Sequence, residues 1–302
     1  MNVVYSYIGS LPEYAIDTVY QTRLFYNGPI YFIVSDTHSP IVSKLINEFN
    51  VEIIPYESVI SDDFNDLYKS NKDKFMIFND LVGREKLFIY AYERYFLLYN
   101  VMVLKKLTNV FFMEVDNLIY DNPVKWLDEF SKREIAFMYD NHYRCGAGIC
   151  YIKNMTALLK LNIYFVNYIM NPSCKMAHEM KSLHDFWESN PYLVQLLPTH
   201  WPNDSLPIMI YDEYENYNNT IFDVAGLGIY LGGMDPYHTK GIITKGLRGL
   251  WSFVDYTPYQ YDWKKDDQDR KIPYIWNPID KIWLKINNLH IHSKELKDCL
   301  SK

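Results

Sequence analysis

The chain has 302 residues, 49% of them hydrophobic and 22% charged, with a formal net charge of -7. That balance argues against disorder, and the negative charge excludes a duplex-wide nucleic-acid interface, which needs a clustered Lys/Arg surface to displace counterions. No stretch reaches the ~18 apolar residues that span a bilayer, Met1-Asn2-Val3-Val4-Tyr5 lacks a basic leader region, and Cys145, Cys150, Cys174 and Cys299 show no CxxC spacing. A soluble, cytoplasmic protein with free thiols is expected.

The first 55 residues alternate strand and helix signals. Val3 to Tyr7 reads as a strand, a helix runs from Pro12 to about Tyr26, and Ile30 to Ser35 is an apolar, β-rich run that ends at Asp36. Ser39-Pro40 caps a helix to about Phe49, and Val51 to Ile54 supplies a third strand. This predicts an α/β fold with a mostly parallel central sheet covered by helices. Residues 57–78 read as loop with short helices. A long helical stretch from Arg84 to Leu107, broken near Asn100, leads into the central strand Asn109 to Val115. Asp116 falls at the open end of that strand, where ligands bind in open α/β sheets.

Glu134 to Tyr139 and Gly148 to Ile152 read as two further strands, with a turn at Arg144-Cys145-Gly146-Ala147, and a helix follows from about Leu158 to Ile169. Beyond Pro198 no second periodic domain is visible. The expectation is one domain over 1–302 with an irregular C-terminal half.

Side chains two apart on a strand share a face, so Glu114 and Asp116 are expected on one side, forming half of a hard-cation site. Solvated acids at a turn are the competing reading. His290 and His292 likewise share a face if they lie on a strand. Either can complete a metal site, while Lys294 serves phosphate as a mobile point charge. The run Phe222 to Pro236 holds four glycines and suits close backbone approach, to a ligand or to a packed helix. Asp204, beside His200-Trp201-Pro202, is a candidate base against an apolar wall.

Taken together, Tyr7 to Tyr14 with Gln21 and Arg23, Val34-Ser35-Asp36, Phe112 to Asn117, Asp223 to Pro236 and Asn288 to Leu296 resemble a GT-A glycosyltransferase of the kind found among bacterial and large-DNA-virus enzymes. Glu114-Val115-Asp116 stands where that family has Asp-x-Asp, and the end carries His-x-His-Ser-Lys. The resemblance implies a Rossmann-like GT-A fold with a nucleotide-sugar-binding half over 1–120 and an acceptor-binding half over 121–302. It implies Mn2+ or Mg2+ and a nucleotide diphosphate sugar, UDP- or GDP-linked, as donor, with a glycan or other hydroxyl as acceptor partner. Tyr5, Tyr7, Gly9 and Asp36 are then expected around the nucleotide, Glu114 and Asp116 with His290 or His292 around the metal, and Lys294 on the diphosphate. Glu114 is one methylene longer than the family's Asp, which makes Asp116 the safer ligand. Asp204 or Asp223 would be the base that helps the acceptor hydroxyl attack. A catalytically inactive sugar-binding or scaffold protein of the same fold is the alternative.

Overall fold

The computed structural model describes residues 1–75, 86–202, 213–234, 240–241 and 254–302. The alternation at the start folds as expected into β1 (Asn2–Tyr7), α1 (Tyr14–Phe25), β2 (Ile30–Val34), α2 (Pro40–Phe49) and β3 (Val51–Pro55). Ser39 caps α2, its hydroxyl accepting from the amide of Ile41, with Pro40 supplying the fixed φ of a first turn. Residues 57–75 hold α3 (Asp62–Ser70) between two single 3₁₀ turns.

The helix α4 (Leu87–Lys105) runs through Asn100 without the expected break. Asn100 is accommodated because its side-chain amide donates outward to the carbonyls of Val59 and Ile60 and leaves the helix ladder alone. The central strand β4 (Val110–Met113) follows, then β5 (Asn117–Ile119), α5 (Leu127–Phe130), β6 (Ile135–Asn141), β7 (Arg144–Ile152), α6 (Met155–Met170), α7 (Glu179–Ser189) and β8 (Val194–Leu197). The turn expected at Arg144 to Ala147 is corrected: those residues belong to β7, and the reversal is at His142-Tyr143. Gly146 and Gly148 suggested a turn, but both sit inside the strand because neighbouring segments crowd them there.

The main sheet has the order β3-β2-β1-β4-β7-β6-β8. β1 pairs in parallel with β2 and β4, β2 with β3, and β6 with β8, while β7 runs antiparallel between β4 and β6. The expected α/β class with a mostly parallel sheet therefore stands. One apolar layer packs the sheet against α3, α4, α6 and α7; the other packs it against α1 and α2. Strand alternation divides the residues: Val4 and Phe112 face the first layer, and Val3, Tyr5 and Phe111 face the second.

The C-terminal half is more regular than its sequence suggested. The helix α8 (Gly226–Gly232) is followed by β9 (Tyr261–Lys265), β10 (Lys271–Asn277) and β11 (Ile282–Lys285), which form an antiparallel sheet. Its Tyr- and Trp-rich strands hid the period of two, because rings occupy both faces. Ile272, Ile275 and Leu284 pack with Leu118, Tyr120 and Leu289 in a third apolar cluster. β12 (Asn288–His290) leaves that sheet and pairs antiparallel with β5, His290 opposite Asn117. No helix among the described residues is long and apolar enough to cross a membrane.

Candidate metal and diphosphate site

The strand order runs outward from β1 to β3 on one side and to β4 on the other, so the crevice between the C-terminal ends of β1 and β4 is the sheet's switch point. The segment Glu114 to Asp116 leaves β4 at that crevice. The amide of Glu114 donates to the carbonyl of Gly148 at 2.8 Å, and that of Asn117 to the carbonyl of Glu114 at 3.1 Å. This turn presents both carboxylates on one side.

The far end of the chain meets them there. Ile291 donates its amide to the carbonyl of Asp116 at 2.9 Å, and β12 lies along β5. His290 Nε2 is then 3.0 Å from Glu114 Oε2 and 3.2 Å from Asp116 Oδ1. The three ligand atoms lie within 4.8 Å of one another. Lys294, held in the left-handed region at φ 68°, returns its ammonium onto Asp116 Oδ2. Structure separates the two histidines. His290 is in the cluster, whereas His292, past the end of β12, packs its ring against that of His290 at a centroid separation of 4.4 Å and lies outside the ligand group. The two rings remain side by side, although β12 stops at His290 and His292 lies beyond it.

The surroundings of His290 fit a metal ligand. Its Nδ1 lies 2.7 Å from the carbonyl of Val224, an acceptor, so Nδ1 carries the proton and Nε2 is the nitrogen aimed at the carboxylates. Burial works against a charged ring, but Asp116 and Glu114 outweigh it and push the imidazole up to about 10. Burial also opposes ionisation of Asp116, yet Lys294 and His290 hold its carboxyl well below the usual range. Glu114 comes down to about 2 against its own burial, through Arg94 and then His290. The cluster is two carboxylates balanced by three cationic groups, Arg94, His290 and Lys294; a divalent cation held there would share that balance in place of the proton on Nε2.

Two residues that the sequence reading passed over, Arg94 and Glu179, build this site. Arg94 lies on α4, its guanidinium on Glu114 Oε1 and 2.9 Å from Glu179 Oε1 of α7, which also accepts from Tyr95 Oη at 2.6 Å. With one carboxylate oxygen of Glu114 engaged by Arg94, the other is turned to His290. This brace accommodates the extra methylene of Glu114. The available signal was Glu93-Arg94 in an otherwise apolar helix, since a buried Arg requires a carboxylate partner. Gly148 lets Asn117 and His290 close up: a Cβ there would fall 2.7 Å from Asn117 Nδ2 and 2.9 Å from His290 Nδ1.

The glycine run around α8 serves packing against β12. A Cβ on Gly228 would fall 2.8 Å from the amide nitrogen of His290 and nearer still to its carbonyl, and one on Gly232 would meet Ile291. Asp223 joins the two elements. Its Oδ1 accepts from the amide of Leu227 at 2.9 Å, and its Oδ2 from those of Gly228 at 2.7 Å and His290 at 2.9 Å. Desolvation pushes this carboxyl up to about 6, despite those bonds. Both oxygens of Asp223, nominated as a base, are thus occupied by backbone donors.

The remaining expected residues divide. Gly9, at φ 111°, donates its amide to Ser35 Oγ at 2.7 Å, joining the loops after β1 and β2. Asp36 is exposed on the second loop and caps the amide of His38, and Tyr7 is half-buried at the end of β1. Tyr5 is elsewhere: its ring is fully buried beneath the sheet, and its hydroxyl pairs with Thr22 Oγ1 at 2.6 Å, because position 5 alternates to the α1 face. Asp204, Asp235 and Pro236 lie outside the described residues.

No protein-family profile and no curated protein matches the sequence. Among solved structures, the chain is similar to mouse xyloside xylosyltransferase 1 in its apo form, at 11% identity and a TM-score of 0.48 over 67% of this chain and 88% of that one. It is also similar to the PaToxG glycosyltransferase at 16% identity and a TM-score of 0.38, over 63% of this chain and 69% of that one. A third similarity is to apo glycosyltransferase GlyE of Streptococcus pneumoniae TIGR4, at 12% and 0.41, over 64% of this chain and 44% of that one.

Proposed function

We propose that this chain is a glycosyltransferase that uses a divalent cation, Mn2+ or Mg2+, to transfer a sugar from a UDP- or GDP-linked donor to a hydroxyl acceptor such as a glycan. The observation that carries this reading is the convergence of Glu114, Asp116, His290 and Lys294 at the switch point of the sheet. Two carboxylates and one imidazole leave a hard divalent cation room for phosphate oxygens.

Glu114, Asp116 and His290 Nε2 would hold the cation, which when bound supplies positive charge to the diphosphate as its bond to the sugar breaks. Lys294 is the mobile cation on hand to meet the same diphosphate, drawn away from Asp116. Tyr7, Gly9 and Asp36, on the loops after β1 and β2, border the side of the crevice where the nucleoside would lie. Arg94 fixes which oxygen Glu114 offers, and Asp223 fixes the backbone of His290. We assign Asp223 this positioning part in place of a base, because both of its oxygens already accept from buried backbone amides.

A panel of UDP- and GDP-sugars with Mn2+, read by release of nucleoside diphosphate and by calorimetry, tests the proposal. At least one donor is expected to bind only with metal, and Asp116→Ala to abolish that binding. Wild-type affinity in Asp116→Ala, or no binding of any donor, would sink it. Donor binding without transfer to any acceptor would favour the inactive sugar-binding alternative.

A further inference from the structure

A second group of ligating side chains lies on α7, apart from the site above: His184, Asp185 and Glu188. The residue His184 is 3% exposed, and its Nδ1 is buried without a hydrogen-bond partner. A buried ring nitrogen left in this way is uncommon, because buried polar atoms are normally satisfied. The ring is fixed, with Trp187 at a centroid distance of 5.3 Å and Tyr139 at 6.2 Å.

What Nδ1 faces is two carboxylates. Glu188 Oε2 is 3.7 Å away and Asp185 Oδ1 3.9 Å. Those gaps are too long for hydrogen bonds. They exceed by a few tenths of an ångström the spacing of two ligand atoms on one cation, since bonds of about 2.0–2.2 Å in tetrahedral array put neighbouring ligands roughly 3.3–3.6 Å apart, a gap that a small side-chain rotation closes. In the first site the corresponding distances are 3.0 and 3.2 Å, those of a proton-bridged pair.

We propose that His184 and Glu188, assisted by Asp185, form a second metal site that takes a borderline transition cation such as Zn2+. One helical turn brings His184 and Glu188 to the same face. The nitrogen ligand favours Zn2+ over Mg2+ or Ca2+. Position adds to this, for the cation would sit in the last turns of α7, where the helix dipole is negative. Lys181 is the internal competitor, its ammonium 3.0 Å from both oxygens of Asp185. Asp185 is accordingly the weakest of the three ligands, and Glu188, half turned to solvent, the entry point. The same helix begins at Glu179, the partner of Arg94, so metal on α7 would stiffen the element that braces Glu114.

Full-length protein stripped with EDTA and titrated with ZnCl2 in a calorimeter tests this, with Co2+ absorption as a second readout. Wild type is expected to take two equivalents. Glu188→Gln, an exposed change that leaves the fold intact, is expected to weaken one of them by about tenfold or more. His184→Gln should abolish the same one. Asp116→Asn should remove only the other, so failure at α7 is distinguishable from failure of the proposed active site. Loss of both equivalents in Asp116→Asn, an unchanged isotherm for Glu188→Gln, or an adventitious ion only, bound at millimolar zinc, would each overturn the assignment.

Discussion

Replacing Asp223 with Ala separates a backbone brace from a chemical base. The change strips the acceptor from three buried amides, those of Leu227, Gly228 and His290. Each buried donor left unsatisfied costs about 1–3 kcal/mol. Removing a carboxylate that burial has pushed up to about 6 returns roughly 3 kcal/mol of desolvation. The balance is a loss of about 3 kcal/mol, within a span of roughly 0–6, and a fall in Tm of about 5 °C for a chain of this size. Because the amide of His290 is one of the three, affinity for Mn2+ should fall as well, by about 10–100-fold, as for other supports of a metal ligand. Asp223→Asn keeps one carbonyl oxygen for Gly228 and His290 and sheds the charge, so its loss should be smaller, about 1–2 kcal/mol. Thermal unfolding and Mn2+ calorimetry on both variants read the outcome. An Asp223→Ala protein with unchanged Tm and Mn2+ affinity but no turnover would refute the brace and restore the base.

The crowding at Gly228 predicts that Gly228→Ala forces α8 away from β12, destabilising the protein by about 1–3 kcal/mol in urea unfolding and weakening Mn2+ binding in step. Arg94→Met should cost more, about 3–5 kcal/mol, because it leaves Glu179 buried without its cation and Glu114 with His290 alone; pairing it with Glu179→Gln should recover part of that loss in the same assay. His200 is buried against Trp201, and desolvation brings its imidazole down to about 4. Between pH 6.5 and 4 the unfolded chain therefore binds more protons at this residue, so its contribution is complete above pH 6.5 and lost on acidification. Relative to His200→Gln, wild type should lose roughly 2–3 kcal/mol of stability between pH 7 and pH 4.5 by chemical denaturation. Parallel pH profiles would show that the ring is hydrated.

Local pattern made the scaffold legible before any coordinates. The strand-helix alternation to Pro55, the cap at Ser39-Pro40 and the apolar core of β4 each reflect short-range sterics and burial, and they place Asp116 at an open strand end without reference to the rest of the chain. Glu114 and Asp116 were readable as a pair for the same reason. The His-x-His-Ser-Lys segment was readable as chemistry but not as geometry.

Tertiary structure decided what depends on residues far apart in the chain. His290 rather than His292 reaches the carboxylates because β12 ends there, a consequence of its pairing with β5 some 170 positions earlier. Tyr5 belongs to the core because alternation sends it to the α1 face; Tyr7, on the same face but at the end of β1, is only half-buried there. The glycines around α8 could have served a ligand or a helix, and only the position of the His290 backbone shows which. Arg94, Glu179 and Asp223 acquire their parts from the groups they meet across the fold. A sequence records such charges but not their counterparts, since electrostatic pairing is fixed by distance in space.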